Sequence, residues 1–155
     1  MRKAITPESI LKHLCFAALG AALAGGASAQ GTGPAASTGP AISVELNKLE
    51  SAGTSCRSYF LVTNRTPDAL RDLRLEVYLF DRNGVVLRRI ALPFSSLRSE
   101  RSKVTIFDLA DIACTDLDRL LVNEVLTCTG EDGTPVKNCS DLVAVTTRAA
   151  VTFSY

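Results

Sequence analysis

The chain has 155 residues, 46% of them hydrophobic and 21% charged, which is the content of one globular domain. Lys plus Arg total 17 against 16 Asp plus Glu, so the formal charge is +1 and the basic excess of a nucleic-acid-binding module is missing. Five Cys, a single His and no Trp narrow the chemistry further.

Residues 1–29 are expected to be a secretory signal peptide. Met1, Arg2 and Lys3 open a polar, mostly basic region that runs to Lys12 and His13. An apolar run from Leu14 to Ala24 follows, then Gly25, Gly26 and the small-x-small triplet Ala27-Ser28-Ala29. The run is too short and too rich in Gly and Ala for a spanning helix. No Cys stands at the cleavage point and no Arg-Arg pair precedes the run, so neither a lipid anchor nor a twin-arginine signal is expected. Cleavage after Ala29 makes Gln30 the N-terminus. It also removes the only His and the only Met, and leaves acids one ahead of bases. The expected location is the periplasm or the exterior, with no membrane span after cleavage.

Residues 30–40 carry no charge and no large apolar side chain, so a flexible leader is expected there and a folded domain over 41–155. Ile42, Val44 and Leu46 alternate with Ser43 and Glu45, which predicts a half-buried strand. A turn at Gly53 leads to a second strand, Cys56 to Thr63, with Cys56, Phe60 and Val62 on one face. Asn64 to Ala69 reads as a loop. Leu73, Leu75, Val77 and Leu79 then alternate with Arg74, Glu76, Tyr78 and Phe80, and Asp81-Arg82-Asn83-Gly84 is a hairpin turn. Val85 to Leu92 returns, and Pro93 ends that strand or places it at an edge. Ser102 to Phe107 is a further strand. Asp116 is read as the cap of a short helix holding Leu117, Leu120 and Leu121, residues 122–128 as a strand, and Ala149 to Tyr155 as the last one. About seven short strands with at most one short helix predict an all-β, Ig-like antiparallel β-sandwich.

The stretch Thr63-Asn64-Arg65-Thr66 and the run from Leu73 to Val86, with its Phe80-Asp81-Arg82-Asn83-Gly84 turn, resemble the central hairpin of small bacterial Ig-like or fibronectin-like secreted domains. From Ile42 to Phe153, with its four Cys, the chain resembles a family of uncharacterised secreted proteins of alphaproteobacteria. Some of those are known only by a twin-arginine signal, and this sequence departs from them in lacking the Arg pair. The resemblance implies a fold and a compartment, and brings no catalytic residue with it.

Beyond the signal, Cys56, Cys114, Cys128 and Cys139 form an even set suited to two disulfides in an oxidising compartment. Of the three pairings, Cys128–Cys139 is favoured because Gly130, Gly133 and Pro135 can fold the chain back between them. Cys56–Cys114 is what remains. The absence of Cys-x-x-Cys argues against thioredoxin-type redox chemistry, and zinc would need all four thiolates at unusual spacings.

Nucleophilic catalysis lacks its base once His13 is removed, and Lys48, Lys103 and Lys137 lie in polar contexts expected to be exposed, unsuited to a Ser–Lys arrangement. The sequence therefore points to a non-catalytic binding or structural accessory module, without a cofactor, whose partner is an envelope protein. Its candidate interface is Tyr78, Phe80, Asp81, Asn83 and Gly84, because Tyr78 and Phe80 fall on the face opposite the core. A second candidate is the basic stretch Arg88, Arg89, Arg98, Arg101 and Lys103, which suits an anionic surface or serves to protect an edge strand. The alternative from another class is a carboxylate-dependent hydrolase or calcium-binding module centred on Asp108, Asp111, Asp116 and Asp118. Asn64-Arg65-Thr66 spells a glycosylation sequon that in a bacterium is a turn. The alternating end at Tyr155 resembles the last strand of an outer-membrane barrel, against which the short predicted strands argue.

Overall fold

Alternation of apolar and polar residues divides this chain into strands. A computed structural model describes residues 39–155, and the predicted signal peptide and nearly all of the leader lie outside the described residues. Eight strands follow in chain order: β1 (Ile42–Ala52), β2 (Ser55–Asn64), β3 (Leu70–Phe80), β4 (Val86–Leu97), β5 (Arg101–Leu109), β6 (Arg119–Gly130), β7 (Val143–Thr147) and β8 (Thr152–Ser154). They form two four-stranded sheets, ordered β5-β2-β1-β7 and β4-β3-β6-β8. The fold is an all-β sandwich.

β2 shows the pattern in its simplest form, since Cys56, Ser58, Phe60, Val62 and Asn64 are fully buried while the residues between them are half-buried. With a period of two, one face enters the core and the other does not. From the facing sheet, β3 contributes Leu73, Leu75, Val77 and Leu79, all fully buried. At the centre, the Phe60 ring meets those of Phe94, Phe107 and Phe153 edge-on, each at 5.8 Å between centroids. Edge-to-face contact sets the positive rim of one ring against the negative face of another.

The fully buried polar residues Ser58 and Asn64 have partners. Ser58 Oγ donates to the Phe107 carbonyl at 2.9 Å. Asn64 Nδ2 donates to the carbonyls of Asp68 and Leu97, while its Oδ1 accepts from the backbone N–H and hydroxyl of Thr66. Asn64 therefore builds the β2–β3 loop from inside the fold, and the sequon reading has no exposed amide to use.

The helix expected at Asp116 is absent. Cys114–Asp116 forms one 3-10 turn, and the chain enters β6 at Arg119. Leu120 and Val122 are buried in strand alternation, because pairing with β3 (Leu79 with Leu120, Val77 with Val122) outweighs local helical spacing. A four-residue helix, Cys139–Leu142, and strand β7 stand where no element was predicted. The expectation of a wholly antiparallel sandwich also changes, because β7 pairs with β1, and β8 with β6, in parallel. Pro93 lies inside β4, an edge strand, where a missing N–H does least harm. The strands are longer than expected, up to 12 residues, so strand length is no argument against a barrel; the separation into two open sheets is.

Both favoured disulfides form. Cys56–Cys114 ties the start of β2 to the 3-10 turn across 58 positions, and Cys128–Cys139 closes an 11-position loop. Inside that loop the Gly130 N–H donates to Thr134 and the Gly133 N–H to Gly130, with Gly133 at φ 83°, a conformation that costs glycine little.

Candidate functional site

The β3–β4 hairpin is a tightly built projection. Asp81 Oδ1 accepts the backbone N–H groups of Asn83 at 2.9 Å and Val85 at 2.8 Å, and the Gly84 N–H donates to the Asp81 carbonyl. Gly84 sits at φ 77°. Asp81, Asn83 and Gly84, proposed from sequence as contact residues, are thus occupied in making the turn. These hydrogen bonds, first that of Val85, hold the Asp81 carboxyl below its ordinary pKa. A lowered folded-state value means that the turn gains from ionised Asp81 above the ordinary value and loses that gain as pH falls through the lowered one. An NMR titration is expected to place the Asp81 midpoint below the ordinary range, with the Val85 amide shifting at the same pH. An ordinary midpoint would mean that the bonds do not form in solution.

Tyr78 and Phe80 lie on the outer face of their sheet, as alternation predicts, yet both are half-buried. The Arg119 guanidinium lies 4.2 Å from the Phe80 ring centroid. On the same face Glu76 is buried, accepting from Arg89 Nη1 and Asn123 Nδ2, both at 2.7 Å. What the hairpin leaves exposed is the run after the turn: Val85 (59%), Val86 (48%) and Leu87 (40%). Sequence reading placed these residues in the return strand. Their signal was present as three successive apolar residues without alternation. Leu87 shares a surface groove of about 560 Å³ with Asp81, Arg82, Asn83, Thr115 and Asp116.

The basic stretch does not form one patch. Arg88 Nη1 donates to the Ala110 carbonyl at 2.7 Å, and Arg89 is held by Glu76. Arg98, Arg101 and Lys103 do come together, around a groove of about 280 Å³ with Ser96, Leu97 and Ser102. Lys103 Nζ reaches across to the Ser95 carbonyl at 2.8 Å.

The acidic segment is likewise dispersed. Asp108, at the end of β5, takes a two-pronged contact from Arg57 (2.7 and 3.1 Å), which holds its carboxyl below the ordinary range. Asp111 occupies a left-handed turn position at φ 57°. Asp118 uses its backbone, donating to Phe80 and accepting from Thr152. Asp108 borders an apolar cleft of about 200 Å³ between β4 and β5, and Asp116 borders the hairpin groove, so neither space brings two of the four together. Among the described residues, no three His, Cys, Asp or Glu side chains are grouped so as to hold a metal.

No family model matches the chain, and no curated protein matches it in sequence. A solved structure of IrmA from Escherichia coli is similar to it in fold. The TM-score is 0.53 at 15% identity, over 69% of this chain and 92% of that one. The likeness is one of fold alone. Two disulfides fit an oxidising compartment, and among the described residues no helix is long and apolar enough to cross a membrane.

Proposed function

We propose that this chain is a non-catalytic binding or structural accessory module of the periplasm or the exterior. It meets an envelope protein through Val85, Val86 and Leu87 at the end of the β3–β4 hairpin. The supporting observation is that three successive apolar side chains are exposed directly after a turn whose backbone is fixed by Asp81 and Gly84. Apolar side chains displayed on a rigid element bury surface on binding without a large ordering cost. The compartment rests on the predicted signal peptide together with the two disulfides.

The test is capture of the protein beginning at Gln30 from its native envelope extract after mild cross-linking, read by mass spectrometry. A Val86→Asp/Leu87→Asp variant is run alongside. One dominant protein in near-equal amount is expected, depleted at least about tenfold by the variant. Equal capture by the variant would remove the hairpin from the interface. No enriched protein would overturn the reading of a protein partner and turn attention to anionic polymers at Arg98, Arg101 and Lys103.

A further inference from the structure

We infer that β5 is a pairing edge for a second copy of this chain, joined antiparallel about a two-fold axis through Thr105. The four sheet edges differ in fitness for such pairing. β8 has three residues and β7 five, while β4 is interrupted by Pro93, which has no N–H to give. β5 offers nine residues without a proline. An exposed edge of that kind carries unpaired backbone donors and acceptors.

The side chains favour one register. Residues opposite each other in a strand pair share a face, so a two-fold axis perpendicular to the sheet must pass through a residue. The midpoint of Arg101–Leu109 is Thr105. An axis there sets Val104 opposite Ile106 of the second copy and Ile106 opposite its Val104. These are the two large apolar residues that β5 exposes, at 58% and 51%. Leu61 and Tyr59 stand beside them on β2, in register with Val104 and Ile106, and extend the apolar strip on both sides of the axis.

A further observation favours the same arrangement. Charge is complementary. The chain enters β5 through Arg98 and Arg101, with Glu100 the exception, and leaves it through Asp108, which Arg57 already engages, and Asp111. Antiparallel pairing lays the basic end of one copy beside the acidic end of the other, and β5 has no such balance for a parallel partner. Lys103, which would charge the edge, is instead drawn over to the Ser95 carbonyl of β4.

Sedimentation of the protein beginning at Gln30, from about 1 µM to about 1 mM, tests this together with amide hydrogen exchange at both ends of that range. A concentration-dependent mass reaching twice the monomer is expected. In the concentrated sample, the alternate β5 amides that point away from β2 should exchange more slowly. The exposed-site variant Val104→Lys/Ile106→Lys should weaken association by more than about tenfold with an unchanged far-UV spectrum. The hairpin variant Val86→Asp/Leu87→Asp should dimerise as the parent does, which separates this edge from the envelope-protein interface. A monomer throughout, or a dimer in which β5 amides exchange as fast as in dilute protein, would overturn the proposal. If the lysine variant fails to fold, the exchange pattern of the parent chain decides.

Discussion

Phe60→Ala is expected to lower the unfolding free energy by about 3–5 kcal/mol. Phe60 is fully buried on β2 and touches three rings, Phe94 from β4, Phe107 from β5 and Phe153 from β8. Those strands belong to both sheets, so one side chain fills the space where the layers meet. Truncation removes its transfer free energy and leaves a cavity that neighbours held in sheet ladders cannot close. Phe60→Leu keeps much of the volume and is expected to cost less than about 1.5 kcal/mol. Urea unfolding with the disulfides intact should shift its midpoint with little change in slope. A loss below about 1 kcal/mol for the alanine variant would mean that the aromatic cluster is not the centre of the core.

The second large effect is expected from the disulfides, and unequally. In the chain-entropy account a cross-link stabilises by restricting the unfolded chain, and the restriction grows with loop length. The separations of 58 and 11 then predict about 4 kcal/mol for Cys56–Cys114 and about 3 kcal/mol for Cys128–Cys139. Cys56→Ala/Cys114→Ala should exceed its estimate, because Cys56 is fully buried and its truncation adds a cavity. Equilibrium unfolding of the two double variants measures the order. If the Cys128–Cys139 variant were the weaker protein, the native loop around Gly130 and Pro135, and not chain entropy, would carry the difference.

The parts of this fold that could be read from sequence are those where one face is wet. Alternation gave β1, β2, β3 and β5 their places, and Asn83-Gly84 gave the hairpin and with it β4, because each signal is local. β6 was half-legible: Leu117, Leu120 and Leu121 suit a helix by spacing, and only β3 decides otherwise. β7 was hidden because five residues, Val143–Thr147, form a strand only when β1 lies alongside. The disulfides were legible by loop chemistry and parity. The candidate site was less so. Asp81 and Gly84 look like contact residues in a sequence and prove to be turn builders. Glu76, alternating in β3 like any solvent-facing acid, is buried by Arg89 and Asn123, which come from different strands.

The two parallel pairings bear on the order of assembly. A chain that emerges N-terminus first, from a ribosome or a translocation pore, exposes β1 early and the residues of β7 that pair with it about a hundred residues later. β6 in turn waits for β8, more than twenty residues after it. Neither sheet can be completed until residues 143–154 have emerged. The partial chain can form the β1–β2 and β3–β4 hairpins, whose contacts are local, but one flank of β1 stays open in the meantime. The sandwich is therefore latched by β7 and β8, and a nascent chain stalled before Val143 would be held in a state that is open and can still be threaded.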